Sequence, residues 1–152
     1  MVVFVIAGVI VALDQLTKYM VWHILAPGES LPIVNHVFHL SLVLNRGFAF
    51  GLFAKAHPIF IWALYGAVII LAAAVLCRQG GLFPKKSTRI FLTLIAAGAL
   101  GNLIDRIRFS AVIDFLDFRI WPVFNLADSA ITVGVSLLLW QLFIHQQTQP
   151  KQ

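Results

Sequence analysis

Four stretches of this chain are apolar enough to cross a bilayer: Val2 to Leu25, Ile59 to Cys77, Ile90 to Ile107 and Leu126 to Ile144. A helix needs about 20 mostly apolar residues to span the hydrocarbon core. Backbone polar groups inside that core must be satisfied within the span itself. The expected architecture is therefore an all-α membrane protein with four transmembrane helices. Composition agrees, since 61% of residues are hydrophobic and only 11% are charged, far from the balance of a soluble domain. At 152 residues, one integral-membrane domain over 1–152 is expected. The first stretch is interrupted only by Asp14 and Lys18, four apart and able to pair on one helix face. It has no basic leading segment and no convincing small-residue cleavage site, so it reads as a retained helix rather than a removed signal peptide.

The loop between the second and third stretches holds Arg78, Lys85, Lys86 and Arg89 without an acid, which makes it cytoplasmic by the positive-inside rule. Four spans then put both termini in the cytoplasm and residues 26–58 and 108–124 outside. Eleven Lys and Arg against six acids point to anionic phospholipid rather than nucleic acid as the surface partner. The single cysteine, Cys77, excludes an internal disulfide. The outer loops do not read as plain linkers. Phe38 to Asn45 alternates with period two, as a half-buried strand does. Arg46-Gly47 can turn the chain, and Phe48, Phe50 and Leu52 continue the alternation. Residues 112–120 also read as extended. Open sheet edges cannot face hydrocarbon, so a small β-sheet resting on the helix ends at the outer interface is expected. Residues 48–57, with glycine among large aromatics, are a candidate lid.

Four of the six acids fall between positions 105 and 128, a clustering that asks for a cause. Asp14 reads as a structural partner of Lys18, since a lone charge in the membrane is costly. Glu29 lies in a solvated Pro-Gly-Glu-Ser loop. Asp117 is expected to share a strand face with Arg119 as a surface ion pair, pointing opposite to Asp114. Asn102, Asp105 and Arg106 fit one helix face, either as a polar knot with Arg106 paired to Asp105 or as the wall of a site. Asp114, in Ala111-Val112-Ile113-Asp114-Phe115-Leu116, has no basic residue two positions away on its own strand face. Asn125 and Asp128 resemble an N-cap and N3 pair at the start of the fourth span, and an acid in a first turn also suits the helix dipole. Capping by itself is enough to account for Asp128; the sharper reading is that it pins Asp128 at the same outer interface as Asp114. Two carboxylates held close together share one proton. One can then act as general base on a water while the other donates to the carbonyl oxygen of a scissile amide.

Competing chemistries fare worse. His23, His36, His39, His57 and His145 show no HExxH spacing, so a zinc protease lacks its ligands. There is no GxSxG, and Ser129 has no evident base. A phosphate-binding GxxxxGK[ST] loop is missing too. Cys77 reads as a packed apolar residue, and Ala97, Gly98 and Gly101 as close helix contacts. No metal or organic cofactor is expected.

Five blocks, in this order, resemble those of the lipoprotein signal peptidases (signal peptidase II). They are Asp14-Gln15-Leu16-Thr17-Lys18, Asn45-Arg46-Gly47-Phe48-Ala49-Phe50, the run from Gly98 to Arg106, Val112-Ile113-Asp114-Phe115, and Phe124-Asn125-Leu126-Ala127-Asp128-Ser129. The resemblance implies an aspartic endopeptidase of the bacterial cytoplasmic (inner) membrane, with four spans and an extracytoplasmic β-cradle. Its implied substrate is the signal peptide of a prolipoprotein, cut before a cysteine carrying diacylglycerol, and its implied inhibitor is globomycin. Asp114 and Asp128 fall on the catalytic dyad. Asn45, Gly47, Asn102, Arg106, Asn125 and Ala127 fall on substrate-cleft positions, while Asp14 and Lys18 fall on the first-helix motif and Asp105 is supporting. Arg46 and Phe48 are bulkier than the family pattern, Gly51 stands where serine is common, and Ala97 replaces a frequent glycine. Two other readings compete: a small proton-coupled transporter with Asp105, Asp114 and Asp128 as a relay, and a structural membrane subunit. A relay needs polar residues through mid-bilayer, whereas here the acids gather at one end.

Overall fold

A computed structural model of the chain describes residues 1–47, 63, 66–70 and 86–147. Helix α1 spans Val2–Ile24, strand β1 Ser30–Val34, β2 Phe38–Asn45, helix α2 Lys86–Phe109, β3 Val112–Asp117 and helix α3 Leu126–Gln147. Among the described residues, three helices are long and apolar enough to cross a membrane: Val2–Ile24, Lys86–Phe109 and Leu126–Ile144. Of the expected second span, residues 66–70 are helical and Val68 and Ile69 pack on Ala99 of α2. Residue 63 is helical as well, and the remainder of that span lies outside the described residues. So do Cys77, the strand continuation at Phe48, Phe50 and Leu52, and the candidate lid at 48–57.

The helices are inside-out relative to those of a soluble protein. In α1 the buried residues are Asp14, Lys18 and Val21, on one face by their spacing of four and three. Phe4, Val9, Leu13 and Met20 are exposed, the arrangement a lipid solvent favours. Helix α2 is the central one: 50% of its apolar span is buried inside the protein, against 11% for α1 and α3. Small residues let its neighbours approach. A Cβ on Gly98 would collide with the Ala127 carbonyl oxygen, and one on Gly101 would sit 2.6 Å from Asp14 Oδ2. At the other end of α2, Gln141 of α3 accepts from Ser87 Oγ (2.9 Å) and donates to Thr88 Oγ1 (2.6 Å). Gly98→Leu is expected to cost at least about 3 kcal/mol, the upper part of the overpacking range, because the obstacle is backbone. Loss of folded protein on size exclusion in detergent would register it; a well-folded variant would mean that α3 can shift.

The sheet is antiparallel in the order β1-β2-β3. β2 coincides with the expected Phe38–Asn45, and β3 lies within the expected extended segment. β1 was not expected from its sequence. Pro32 sits inside it, and proline is tolerated at a sheet edge, where its missing N–H costs no ladder bond. All five β1 residues are exposed. Leu42, Ile113 and Phe115 pack with Val21 of α1, flanked by Trp22 and Phe109, so the sheet rests on the ends of α1 and α2.

Candidate active site

Two chain reversals deliver Asp114 and Asp128 to one place. Ser110 takes a left-handed φ of 53° and donates its N–H to the Arg106 carbonyl (2.9 Å), closing α2. β3 begins two residues later. It pairs with β2 so that Val43 faces Asp114 and Asn45 faces Val112. Asn45 is thus the diagonal neighbour of Asp114 on the same face, and its Nδ2 donates to Asp114 Oδ2 at 2.9 Å. After β3 the chain returns to start α3 at Asn125, whose Oδ1 accepts the N–H of Asp128 at 2.8 Å as an N-cap. The reciprocal half of the expected capping box is replaced: the Asp128 carboxylate accepts from Asn102 Nδ2 of α2 at 2.7 Å.

Asn125 joins the two acids. Besides capping at Asp128, its Nδ2 donates to Asp114 Oδ1 (2.7 Å), with longer contacts to Asn102 Oδ1 (3.1 Å) and the Ile113 carbonyl (3.2 Å). Burial pushes the Asp114 carboxyl up to about 7, and the nearby Asp128 carboxylate pushes in the same direction. The amides of Asn45 and Asn125 and the charge of Lys18 oppose this without cancelling it. Asp114 is 1% exposed. Asp128 lines an apolar groove of about 470 Å³ with Trp121, Phe124 and Val133. Its Oδ2 accepts no hydrogen bond from the described residues. The arrangement holds one buried and one groove-facing carboxylate from separate elements.

Beside Asp114 and Asp128 lies a buried ionic core. Lys18 Nζ donates to Asp14 Oδ2 (2.8 Å) and Asn102 Oδ1 (3.0 Å), and pairs with Asp105 Oδ2 (2.7 Å). The expected Asp14–Lys18 pair is present. The expected Asp105–Arg106 pair is replaced by Lys18–Asp105, because adjacent helical residues point about 100° apart. Arg106 instead donates to the Gly47 carbonyl, and Asn45 Oδ1 accepts the Gly47 N–H (2.9 Å). The Asn45–Gly47 turn is thereby tied to α2. Ala127 is buried, its N–H bound to Asp14 Oδ1 at 2.9 Å. Asp105, Asp114 and Asp128 form no direct carboxylate chain among the described contacts.

Asp117 corrects another expectation. It is buried, accepting from Ser41 Oγ (2.8 Å) and from the N–H and guanidinium of Arg119 (2.9 and 3.0 Å). Arg119 lies past the strand at φ 64°, so the pair closes a turn instead of lining a strand face. Burial works to raise the Asp117 carboxyl, but these donors together hold it below its ordinary value. Glu29 is exposed as expected, with its carboxylate accepting from the Ala26 N–H (2.7 Å). Gln15 is a member of the site that spacing and composition did not single out. Its Nε2 reaches Asp105 Oδ1 (2.9 Å), Asp14 Oδ2 and the Gly101 carbonyl (both 3.2 Å). Its sequence signals are adjacency to Asp14 and its place in the block Asp14-Gln15-Leu16-Thr17-Lys18.

A family model described as Signal peptidase (SPase) II matches residues 6–144. The lipoprotein signal peptidase of Moorella thermoacetica is 48% identical over 140 residues, covering 91% of this chain and 91% of that protein. That of Pelotomaculum thermopropionicum is 45% identical over 143 residues, covering 93% and 91%. A bacterial membrane enzyme solved by the in meso method at 2.3 Å resolution superposes with a TM-score of 0.87 at 28% identity, over 99% of this chain and 93% of that one. Together with the apolar helices, these matches make the chain a bacterial membrane protein and a peptidase. It belongs to the signal peptidase II family, the lipoprotein signal peptidases.

Proposed function

We propose that this protein is an aspartic endopeptidase in which Asp114 and Asp128 share one proton and hydrolyse the signal peptide bond of prolipoproteins before the diacylglyceryl-cysteine. The observation carrying this reading is that Asn125 donates its Nδ2–H to the Asp114 carboxylate while its Oδ1 caps the backbone N–H of Asp128, which sets the Asp128 charge close enough to raise the Asp114 carboxyl. The ionised carboxylate takes a proton from water as the water oxygen attacks the scissile carbonyl carbon. The protonated carboxyl gives its proton to the carbonyl oxygen. Collapse of the resulting gem-diol breaks the C–N bond, and the amine leaves with a proton, so one water is added across the amide. The pair titrates as a unit. No metal or organic cofactor enters the scheme.

The helix carrying the signal peptide enters laterally and unwinds beside the apolar groove, since a helical amide is shielded and hydrogen-bonded. Asn45 and Gly47 of the turn, with Arg106 of α2 that ties it, hold the unwound strand. The wider reading is a single four-span domain of the bacterial inner membrane, both termini cytoplasmic and the site extracytoplasmic, with phospholipid as surface partner. The apolar outward face of α1 and the basic loop at 78–89 support it.

Purified protein in detergent is expected to cut a diacylglyceryl-modified prolipoprotein, located by mass spectrometry immediately before the modified cysteine, and to be blocked by globomycin. An intact substrate, or equal cutting of the unmodified precursor, would overturn the assignment. With Asp114 raised to about 7, kcat/KM is expected to fall as pH rises through about 7, where the pair loses its shared proton. Stability falls in the same direction. Between about 4, the ordinary carboxyl value, and 7, the folded chain holds a proton that the unfolded chain releases.

A further inference from the structure

The ionic core behind the dyad touches the backbone at two places, and each lies one residue before a dyad aspartate. Asp14 Oδ1 accepts the N–H of Ala127, next to Asp128 (2.9 Å), and Asp105 Oδ2 accepts the N–H of Ile113, next to Asp114 (3.2 Å). The remaining oxygen of Asp14 and the same Oδ2 of Asp105 meet at one ammonium, Lys18 Nζ. Its third partner is Asn102 Oδ1 (3.0 Å). Lys18 therefore has three donors and three acceptors, at 1% exposure.

The third bond decides which way Asn102 points. An amide presents a carbonyl oxygen on one side and an NH2 on the other, whereas an ammonium only donates. In the observed orientation Asn102 Oδ1 faces the donors Lys18 Nζ and Asn125 Nδ2, and its Nδ2 faces Asp128 Oδ1. The flipped amide would set donor against donor at Lys18 and Asn125, and oxygen against the Asp128 carboxylate. Asn102 is 2% exposed, so water is not at hand to mend those losses.

Resting on the dyad reading above, we infer that Lys18 is a positioning residue for the reaction: its ammonium ties together the two carboxylates that hold the backbone before Asp114 and Asp128, and selects the Asn102 amide orientation that presents an N–H to Asp128. The charged groups around it are Asp14 from its own helix, Asp105 and Arg106 from α2, Asp114 from β3 and Asp128 from α3. Asn102 on this view acts on Asp128 rather than on substrate.

Lys18→Met keeps the side-chain length and removes the donors. It is expected to lower kcat about 100-fold, the effect of a small misplacement of reacting groups, with KM changed less than about 3-fold because the groove residues are untouched. Loss of the nearby positive charge also holds the pair's proton more tightly, so the alkaline limb of the rate profile moves to higher pH. A purely structural role would lower the amount of folded enzyme and leave kcat per folded molecule unchanged. The double variant Lys18→Met/Asp105→Asn covers the case in which the single variant does not fold. It keeps the net charge of the core, and the amide carbonyl introduced in place of the Asp105 carboxylate can still accept from the Ile113 N–H, while the ammonium is missing; the same fall in kcat is expected. A folded single or double variant with kcat within about 3-fold of the parent overturns the inference. Asp114→Asn and Asp128→Asn run alongside. If they too stay active, the dyad reading fails; if they are dead while the Lys18 variants work, only the positioning role fails.

Discussion

Asparagine in place of Asp114 or of Asp128 is expected to lower cleavage of diacylglyceryl-modified prolipoprotein by about 1,000-fold or more, within the range contributed by a positioned proton-transfer group. The loss follows from geometry: each acid stands on a different element, so neither can take over the other's place. Folding is expected to survive. Burial already raises Asp114 to about 7, so a neutral side chain there resembles a form well populated at neutral pH. Asn45 Nδ2 and Asn125 Nδ2 both donate to Asp114. Asparagine loses one of these bonds but removes a desolvated charge. Tm in detergent should stay within about 5 °C, the shift that roughly 1 kcal/mol produces. If both variants process substrate at the parental rate, the dyad assignment is wrong.

The second large effect falls on a residue with no titratable group. Asn125→Leu removes the N-cap of α3, worth about 1 kcal/mol. That cap is the acceptor of the Asp128 N–H, and the change also leaves Asp114 Oδ1 without its Asn125 donor. Orphaned buried groups cost about 1–3 kcal/mol each. The combined destabilisation is expected to be about 3 kcal/mol, read as a lower Tm in detergent, with activity reduced by about 100-fold or more at temperatures where the variant is folded. Asn125→Asp separates the two roles. It retains the capping oxygen but sets a further carboxylate against Asp114 in place of a donor, so most of the stability should remain while activity is lost. A Leu variant that is stable and active would show that Asn125 bridges nothing of consequence.

Much of the scaffold was legible because its signals are local. Residues 2–24 form a helix because lipid demands internally bonded backbone, and the apolar run states where that happens. β2 was visible from the alternation between Phe38 and Asn45. β1 was not, because Pro32 argues against a strand unless the strand is known to be an edge, and edges are defined only once the sheet exists. The pairing of Asp105 was misread for a similar reason. Its neighbour Arg106 is closest in sequence, yet a helix turns the two apart, and Lys18 lies 87 positions away on another helix. Asp117 was read as a surface group because nothing local announces that Ser41 will cover it.

By itself, the sequence determined the solvent and the suspects: apolar runs that only a membrane accommodates, and six acids few enough to be weighed singly. It also placed Asp114 and Asp128 near one interface and marked Asn125 as a cap. Tertiary structure decided what each polar group does there. Only packing of α1, α2, β3 and α3 brings Lys18 to Asp105 and Asn102, turns the Asn102 amide toward Asp128, and aims Asn125 at both acids. The physical reason is that hydrogen bonds in a dry interior are directional and must all be met at once, so the role of each side chain depends on partners that linear spacing does not specify.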